Sequence, residues 1–341
     1  MIRLLQAMAG APHGGAETFF VRLALALERA GQDQRIVIRR DAERAAALRA
    51  GGIAPIELPF GRWLDLATLL GFRRAIRDYR PEVVLTWMTR ATQLCPRGDF
   101  VHVARLGGYY DLRHYRRCQH LIGNTREICD YIVRAGWPAD RAHYLPNFAP
   151  DMKAPPLARQ SLGTPAEAPL LLALGRLHEN KAFDVLLAAL AQVPRAHLWL
   201  AGEGPLRAAL EAQARRLGIA ERVRFLGWRE DTAALLAAAD MLVCPSRHEP
   251  LGNVVIEAWS AGLPVVAAAS AGPAALIREG ETGLLVPVED AAALAAAIGR
   301  LAGDPALRKR LSAAGRAAYA AEFSEATVVA RYRAFLERVA R

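Results

Sequence analysis

The chain has 341 residues and a formal net charge of +10, which is too long for one ordinary core and suits two domains of about 150 residues each. Apolar residues make up 53% and charged residues 23%, a soluble globular balance, and no apolar run approaches the ~20 residues of a membrane span. Cys95, Cys118, Cys129 and Cys244 are scattered with no CxxC pair, which argues against a zinc site or a disulfide framework and points to a reducing cytoplasm.

In chain order, the opening Met1-Ile2-Arg3-Leu4-Leu5-Gln6-Ala7 reads as a buried strand, being too short and too soon followed by Gly and Pro for a signal peptide. Strands are predicted at 2–8, 35–39, 83–87, 100–105, 120–123 and 142–145, with helices at 16–30, 41–50, 65–79 and 126–135. This alternation predicts a parallel sheet wrapped by helices. From Pro146 to Pro165 the chain is Pro-rich and aperiodic, which marks a linker. A second alternating set follows: strands at 170–174, 197–201, 223–226, 241–244, 264–267 and 284–286. Its helices are predicted at 183–191, 205–217, 231–238, 253–261, 273–278, 290–301, 305–320 and 325–340. The reading is an α/β protein with a domain at 1–150, a linker at 151–167, and a second domain at 168–341 that carries the terminal helix. Two doubly wound domains facing each other across a cleft bind ligand at the carboxyl ends of their strands.

The segment with most chemistry is Glu249-Pro250-Leu251-Gly252-Asn253-Val254-Val255-Ile256-Glu257. Pro250 and Gly252 keep Glu249 in the loop ahead of a helix that contains Glu257. The amides of Leu251, Gly252 and Asn253 stand at the helix start as donors for an anion. A carboxylate accepts sugar hydroxyls well, so Glu249 suits a transferred sugar and Glu257 a ribose. At the start of the second domain, Gly175-Arg176 ends a strand and Lys181 precedes a helix, a pair of cations suited to a diphosphate. Gly202-Glu203-Gly204-Pro205 is a tight strand-to-helix turn, either near the ligand or plain, with Arg207 where a dinucleotide motif would need a third Gly. Phe225-Leu226-Gly227-Trp228-Arg229 ends another strand and could edge a nucleobase, although an aromatic there is more often packing. In the first domain Gly14 and Gly15 open a helix after the first strand, and His13 is either a wall of an acceptor site or an ordinary loop histidine.

Gly14-Gly15-Ala16-Glu17, Gly175-Arg176 with Lys181, Gly202-Glu203-Gly204-Pro205 and the Glu249-x7-Glu257 pair resemble the signature of GT-B glycosyltransferases of family 4. The resemblance runs over about residues 1–335 and is tightest over 170–290; Asn124-Thr125-Arg126 and Pro146-Asn147 resemble the family's first-domain loops. It implies a retaining, metal-independent enzyme that takes a nucleoside-diphosphate sugar as co-substrate and has no other cofactor. It implies that Arg176 and Lys181 clamp the diphosphate, Glu257 holds the ribose, and Glu249 holds the donor sugar. The 251–253 amides and Gly15 would surround the β-phosphate. The family carries a His just after the strand near 100–105; here the only nearby one, His102, falls within the strand, and Arg105 or Asp111 is expected to take over contacts with sugar or acceptor.

The expected reaction moves a hexose to an acceptor hydroxyl in lipopolysaccharide, exopolysaccharide or glycolipid synthesis. No DxD occurs in the chain, in keeping with metal independence. The alternatives are a sugar-nucleotide epimerase on the same plan and a non-enzymatic nucleic-acid binder, the latter lacking zinc spacing, an aromatic RNA motif or a basic tail. Residues 1–150 hold 22 Arg and Lys against 14 Asp and Glu, and residues 151–341 hold 22 against 20. The surplus lies in the first half, beside the apolar stripe Trp63, Leu64, Leu66, Leu69, Leu70 and Phe72. That stripe either packs a helix on its sheet or meets an anionic membrane surface, the expected location being cytoplasmic and peripheral on the inner face of the cell membrane. The expected partners are the nucleotide sugar, a glycan or lipid-linked acceptor and that surface, with no nucleic acid.

Overall fold

The computed structural model describes residues 2–12, 14–61 and 65–340, so His13, Trp63 and Leu64 lie outside the described residues. The first half runs β1 (Leu4–Met8), α1 (Gly15–Arg29), β2 (Gln34–Arg39), α2 (Ala42–Ala50), β3 (Ile56–Leu58), α3 (Leu66–Tyr79), β4 (Val83–Trp87), α4 (Met88–Leu94), β5 (Val101–Leu106), β6 (His120–Gly123), α5 (Arg126–Arg134) and β7 (Ala142–Tyr144). The second runs β8 (Leu170–Leu174), α6 (Phe183–Ala191), β9 (His197–Ala201), α7 (Arg207–Arg216), β10 (Val223–Gly227), α8 (Thr232–Ala238), β11 (Met241–Cys244), α9 (Asn253–Ser260), β12 (Val265–Ala268), α10 (Ala271–Leu276), β13 (Leu284–Val286), α11 (Ala291–Gly303), α12 (Pro305–Ala318) and α13 (Glu325–Val339).

Both sheets are parallel and doubly wound. The first has the order β3-β2-β1-β4-β5-β6-β7 and the second β10-β9-β8-β11-β12-β13. In each, the first strand lies inside the sheet and the chain winds outward from it in both directions. Strands such as Leu4-Leu5-Gln6-Ala7-Met8 and Val83-Val84-Leu85-Thr86-Trp87 are buried along their whole length. That explains why they read as continuous apolar runs rather than alternating ones: helices cover both faces.

Contacts divide the chain into Met1–Asn147 with Glu325–Arg341, and Phe148–Ser324. The terminal helix therefore belongs with the first unit, not with the second as its place in the sequence suggests. Its anchors are specific. Arg105 Nε donates to the Tyr332 hydroxyl at 3.0 Å, Phe335 packs on the His143 ring at 4.7 Å, and Glu325 pairs with Arg29 at 2.6 Å. No local pattern reveals such contacts, since the residues that receive α13 lie nearly 200 or more positions earlier. Two short elements also escape sequence reading. β3 has three residues between Pro55 and Pro59, and α4 starts at Met88 in a left-handed conformation of φ 68° with no side-chain cap.

His102 lies inside β5, as the alternation predicts, and is 5% exposed. Its Nε2 is 3.0 Å from the Thr86 hydroxyl. Burial, with the Arg117 charge nearby, lowers its pKa to about 4. Unfolded His102 titrates near 6.5, so the unfolded chain binds the extra proton between those limits and stability falls as pH drops through them. The expected loss from pH 7 to pH 4.5 is on the order of 2–3 kcal/mol for this group. Urea unfolding at the two pH values measures it, and His102→Gln should shrink the difference; an unchanged difference would count against the assignment.

Candidate active site

The second unit gathers its functional side chains on loops at the carboxyl ends of β8, β9 and β11. Gly175 leaves β8 and Gly202 leaves β9, both at φ 147°. The two turns touch: Gly175 N–H donates to the Ala201 carbonyl at 3.0 Å, and a Cβ on Gly202 would stand 1.9 Å from the Gly175 oxygen. A Cβ on Gly204 would stand 2.4 Å from the Leu177 oxygen. The close approach that Gly202 and Gly204 permit is thus, first of all, that of the neighbouring loop.

Between these points the chain carries Arg176 and Lys181. Arg176 is exposed and makes no ion pair among the described residues. Lys181 is followed by Ala182, a non-glycine at φ 51° that opens α6. A left-handed alanine costs about 1–2 kcal/mol, which the fit of this corner must offset. The Lys181 ammonium is bonded to the Glu249 carboxylate, with the two side chains 24% and 10% exposed. Glu249 also accepts the Gly252 N–H at 3.3 Å. Gly252 caps α9 in the left-handed region at φ 70°, and no side chain caps that helix. The Gly252 N–H is thus taken by Glu249, while Leu251 and Asn253 at the start of α9 keep the unpaired-donor character of a helix N-terminus beside a cation–carboxylate pair. Glu257 lies one turn into α9 and is half-buried.

Sequence reading missed the groups that hold these loops together. Arg247 forks onto Asp184 at 2.9 and 2.6 Å, reaches Glu289 at 2.5 Å, and donates to the Glu179 carbonyl at 2.8 Å. The Arg247 hydrogen bonds hold the Asp184 carboxyl below its usual range. His248 N–H donates to the Asn180 carbonyl at 3.1 Å, a second tie between the same loops. Ser270, at the end of β12, is 6% exposed with a hydroxyl that has no partner. Trp259, two residues beyond Glu257, is a core residue whose Nε1 donates to the Thr282 carbonyl at 2.9 Å. Trp228 is 75% exposed rather than packed.

In the first unit, Gly14 precedes α1, and a Cβ there would meet the Glu17 carboxylate at 2.3 Å; at Gly15 it would meet nothing within 4 Å. Arg105, expected to contact sugar or acceptor, is 3% exposed. Its guanidinium is committed to Tyr332 and Asn147 and stacks on Phe19 and Trp87 at 4.8 and 4.6 Å. That makes it a buried tie for the terminal helix. Asp111 faces solvent and pairs with Arg113 at 2.6 Å.

Comparison with known proteins fits this architecture. The family described as Glycosyltransferase Family 4 matches residues 13–151, and that described as Glycosyl transferases group 1 matches residues 168–304. The lipopolysaccharide core biosynthesis glycosyltransferase LpsE of Rhizobium meliloti (strain 1021) is 37% identical over 328 residues, covering 94% of each chain. LpsD of the same organism is 37% identical over 335 residues, covering 95% of each. The chain belongs to the family 4 glycosyltransferases. Its two doubly wound units have the GT-B fold, and the structure of Anabaena HepE in complex with UDP superposes with a TM-score of 0.85 at 23% identity, covering 99% of this chain and 100% of that one.

For this glycosyltransferase the turn glycines separate packing from binding. Gly202→Ala meets both a backbone oxygen and an unfavourable φ, and is expected to cost at least ~3 kcal/mol. Gly15→Ala, at an open first helical position, should stay within about 0.5 kcal/mol of the parent. Urea unfolding of the two variants checks this; equal stability would mean the Gly175–Gly202 contact is soft.

Proposed function

We propose that this glycosyltransferase moves a hexose from a nucleoside-diphosphate sugar to a hydroxyl of a lipopolysaccharide core acceptor, with retention of anomeric configuration and without a metal ion. The observation that carries the donor half is the Lys181–Glu249 pair beside the exposed Arg176 and the uncapped start of α9. The lipopolysaccharide half rests on the likeness to LpsE and LpsD over nearly the whole chain, and the nucleotide half gains support from HepE with UDP.

In this reading the diphosphate bridges Arg176 and Lys181. Arg176 offers fork-shaped donors, and Lys181 a point charge released in part from Glu249. The start of α9 adds its amides. Glu249, freed toward the sugar, accepts from ring hydroxyls, and Glu257 accepts from the ribose. Trp228, exposed at the end of β10, gives a base a face to stack on. The bond between the anomeric carbon and the phosphate oxygen breaks as the acceptor oxygen attacks from the same face. The acceptor's proton passes to that leaving oxygen. The chain's contribution is electrostatic: donors already aimed where negative charge grows.

Removing one such donor costs typically 10²–10³ in turnover. Arg176→Ala and Lys181→Ala should each lower kcat by about that factor while unfolding stays close to the parent. A thermal-shift screen against UDP-, GDP-, ADP- and dTDP-sugars should single out one nucleotide, since a bound ligand stabilises by mass action. Transfer should persist in EDTA, and the product's anomeric proton coupling should match the donor's. Near-normal turnover in both variants would refute the phosphate clamp.

The membrane-facing part of the reading rests on α3. Phe72 is fully buried, but Leu66 and Leu70 are 62% and 61% exposed, one turn apart on one face. Arg74 and Arg77 follow with side chains 78% and 75% exposed, and share the single carboxylate of Asp78 at 3.4 and 3.0 Å. No helix among the described residues is long and apolar enough to cross a membrane. Two exposed leucines beside arginines suit the interface of an anionic bilayer. Leu66→Ser with Leu70→Ser should reduce co-sedimentation with phosphatidylglycerol vesicles several-fold without altering donor binding. Unchanged sedimentation would remove the surface.

A further inference from the structure

The first unit has a cavity that the transferase reading does not use. It measures about 370 Å³ and is lined by Arg97, Arg116, Arg117 and Gln119 around Phe100 and His102. His102 is the second residue of β5, and Gln119 immediately precedes β6. The cavity therefore sits at the amino ends of these strands, opposite the carboxyl ends where a doubly wound sheet takes its usual ligand.

Its charge is one-sided. No Asp or Glu lines it, Asp99 included. Among the described residues none of the three guanidiniums is in an ion pair, whereas Arg113 nearby is paired with Asp111 at 2.6 Å. Three neighbouring cations without a counter-charge repel one another, and an anion among them relieves that cost. The arrangement is also held in place. Arg117 Nη2 donates to the Gln93 carbonyl at 2.5 Å. Gln119 is fixed to His102 twice: its Oε1 accepts the His102 N–H, and its own N–H donates to the His102 carbonyl, both at 2.8 Å. That leaves the Gln119 amide nitrogen as a further donor on a rigid strand edge. His102 stays neutral near pH 7, so the positive charge comes from arginines alone.

A second cavity of about 690 Å³ shares Arg116 and includes Tyr131 and Trp137 in its wall. Trp137 Nε1 is a buried donor without a partner. A ligand with an anionic head at the three arginines has room beside it for an uncharged body.

We propose that this pocket binds the phosphoryl group of a phosphate ester, with Arg97, Arg116 and Arg117 as guanidinium donors. Guanidinium forks match tetrahedral phosphate oxygens better than they match a halide, which sets the expected selectivity. The same chemistry is offered by a phospholipid headgroup and by a free phosphate ester. The site stands independently of the donor assignment.

The test titrates inorganic phosphate and glycerol 3-phosphate at constant ionic strength, with chloride as the reference, and reads the thermal midpoint. Four proteins are compared: the parent, Arg97→Gln/Arg116→Gln, Arg116→Lys and Arg176→Ala. The parent and Arg176→Ala should show a saturable rise above chloride. The double variant should lose it, and Arg116→Lys should weaken it several-fold while leaving the ligand-free midpoint in place, which guards against a folding defect in the double variant. Vesicles of phosphatidylglycerol against phosphatidylcholine separate the sources: binding lost in the double variant points to a headgroup, and binding kept points to a free ester. A phosphate response equal to chloride, or one that survives in the double variant, would overturn the proposal. A response lost only in Arg176→Ala would also overturn it, while supporting the donor clamp.

Discussion

The contact between two glycine turns sets the geometry of the second unit's loops. β8 and β9 are neighbours, and each ends in a Gly at φ 147°. The Gly175 oxygen occupies the space where any side chain at 202 would go. This lets the loop from 175 to 182 lie on the loop from 202 to 206, where Leu177 N–H donates to the Glu203 carbonyl at 2.9 Å and Leu206 N–H to the Leu177 carbonyl at 3.2 Å. Arg176 sits within this laminated backbone, and Lys181 leaves it through a left-handed alanine. The cations are thus presented by backbone that is bonded on both sides. Electrostatic preorganisation requires this, because a charge that must be reoriented during reaction loses much of its value.

The acidic loop is braced in the same way from another side. Gly272 N–H donates to the Glu249 carbonyl at 2.7 Å, and a Cβ at 272 would strike that carbonyl at 2.6 Å. Arg247, two residues before Glu249, spends its guanidinium on Asp184, Glu289 and the Glu179 carbonyl. A division of labour results: Arg247 is saturated by structural partners, while Arg176 has no ion pair among the described residues. Lys181 lies between these extremes, paired with a carboxylate that has its own proposed use. In a half-buried site such a pair is worth little as a stabiliser, since desolvation offsets the attraction. In the proposed reaction its value is to hold the two side chains at one place until the donor separates them.

Periodicity made the two parallel sheets legible, because fully buried strands and amphipathic helices leave distinct patterns. The loops of the second unit's candidate site were legible for a different reason: Pro250, Gly252 and Gly175 interrupt those patterns where loops meet. Three things were not. β3 is too short to carry a pattern, α4 begins at a left-handed methionine, and the docking of α13 depends on Tyr332 and Phe335 meeting residues far back in the chain. The roles of Arg247 and Trp259 were equally hidden. An arginine's spacing does not reveal whether its partners are ligands or loops, and a tryptophan beside an acidic motif looks the same whether it packs or binds.

Arg105 shows how burial limits what a side chain at the end of a strand can do. A guanidinium that stacks on Trp87 and Phe19 and donates to Tyr332 and Asn147 has little left for a substrate. Withdrawing it would leave the buried Tyr332 hydroxyl and Asn147 amide oxygen without this donor and loosen the seat of the terminal helix, at a cost of about 1–3 kcal/mol for each stranded group. What remains exposed at the corner after β5 is Tyr109, at 57%, and the Asp111–Arg113 pair. Two sets of first-unit arginines differ in this respect. Arg105 is buried and ties the chain's end to the sheet. Arg97, Arg116 and Arg117 line one pocket and make no ion pair among the described residues, so their mutual repulsion is what the proposed phosphoryl group would relieve.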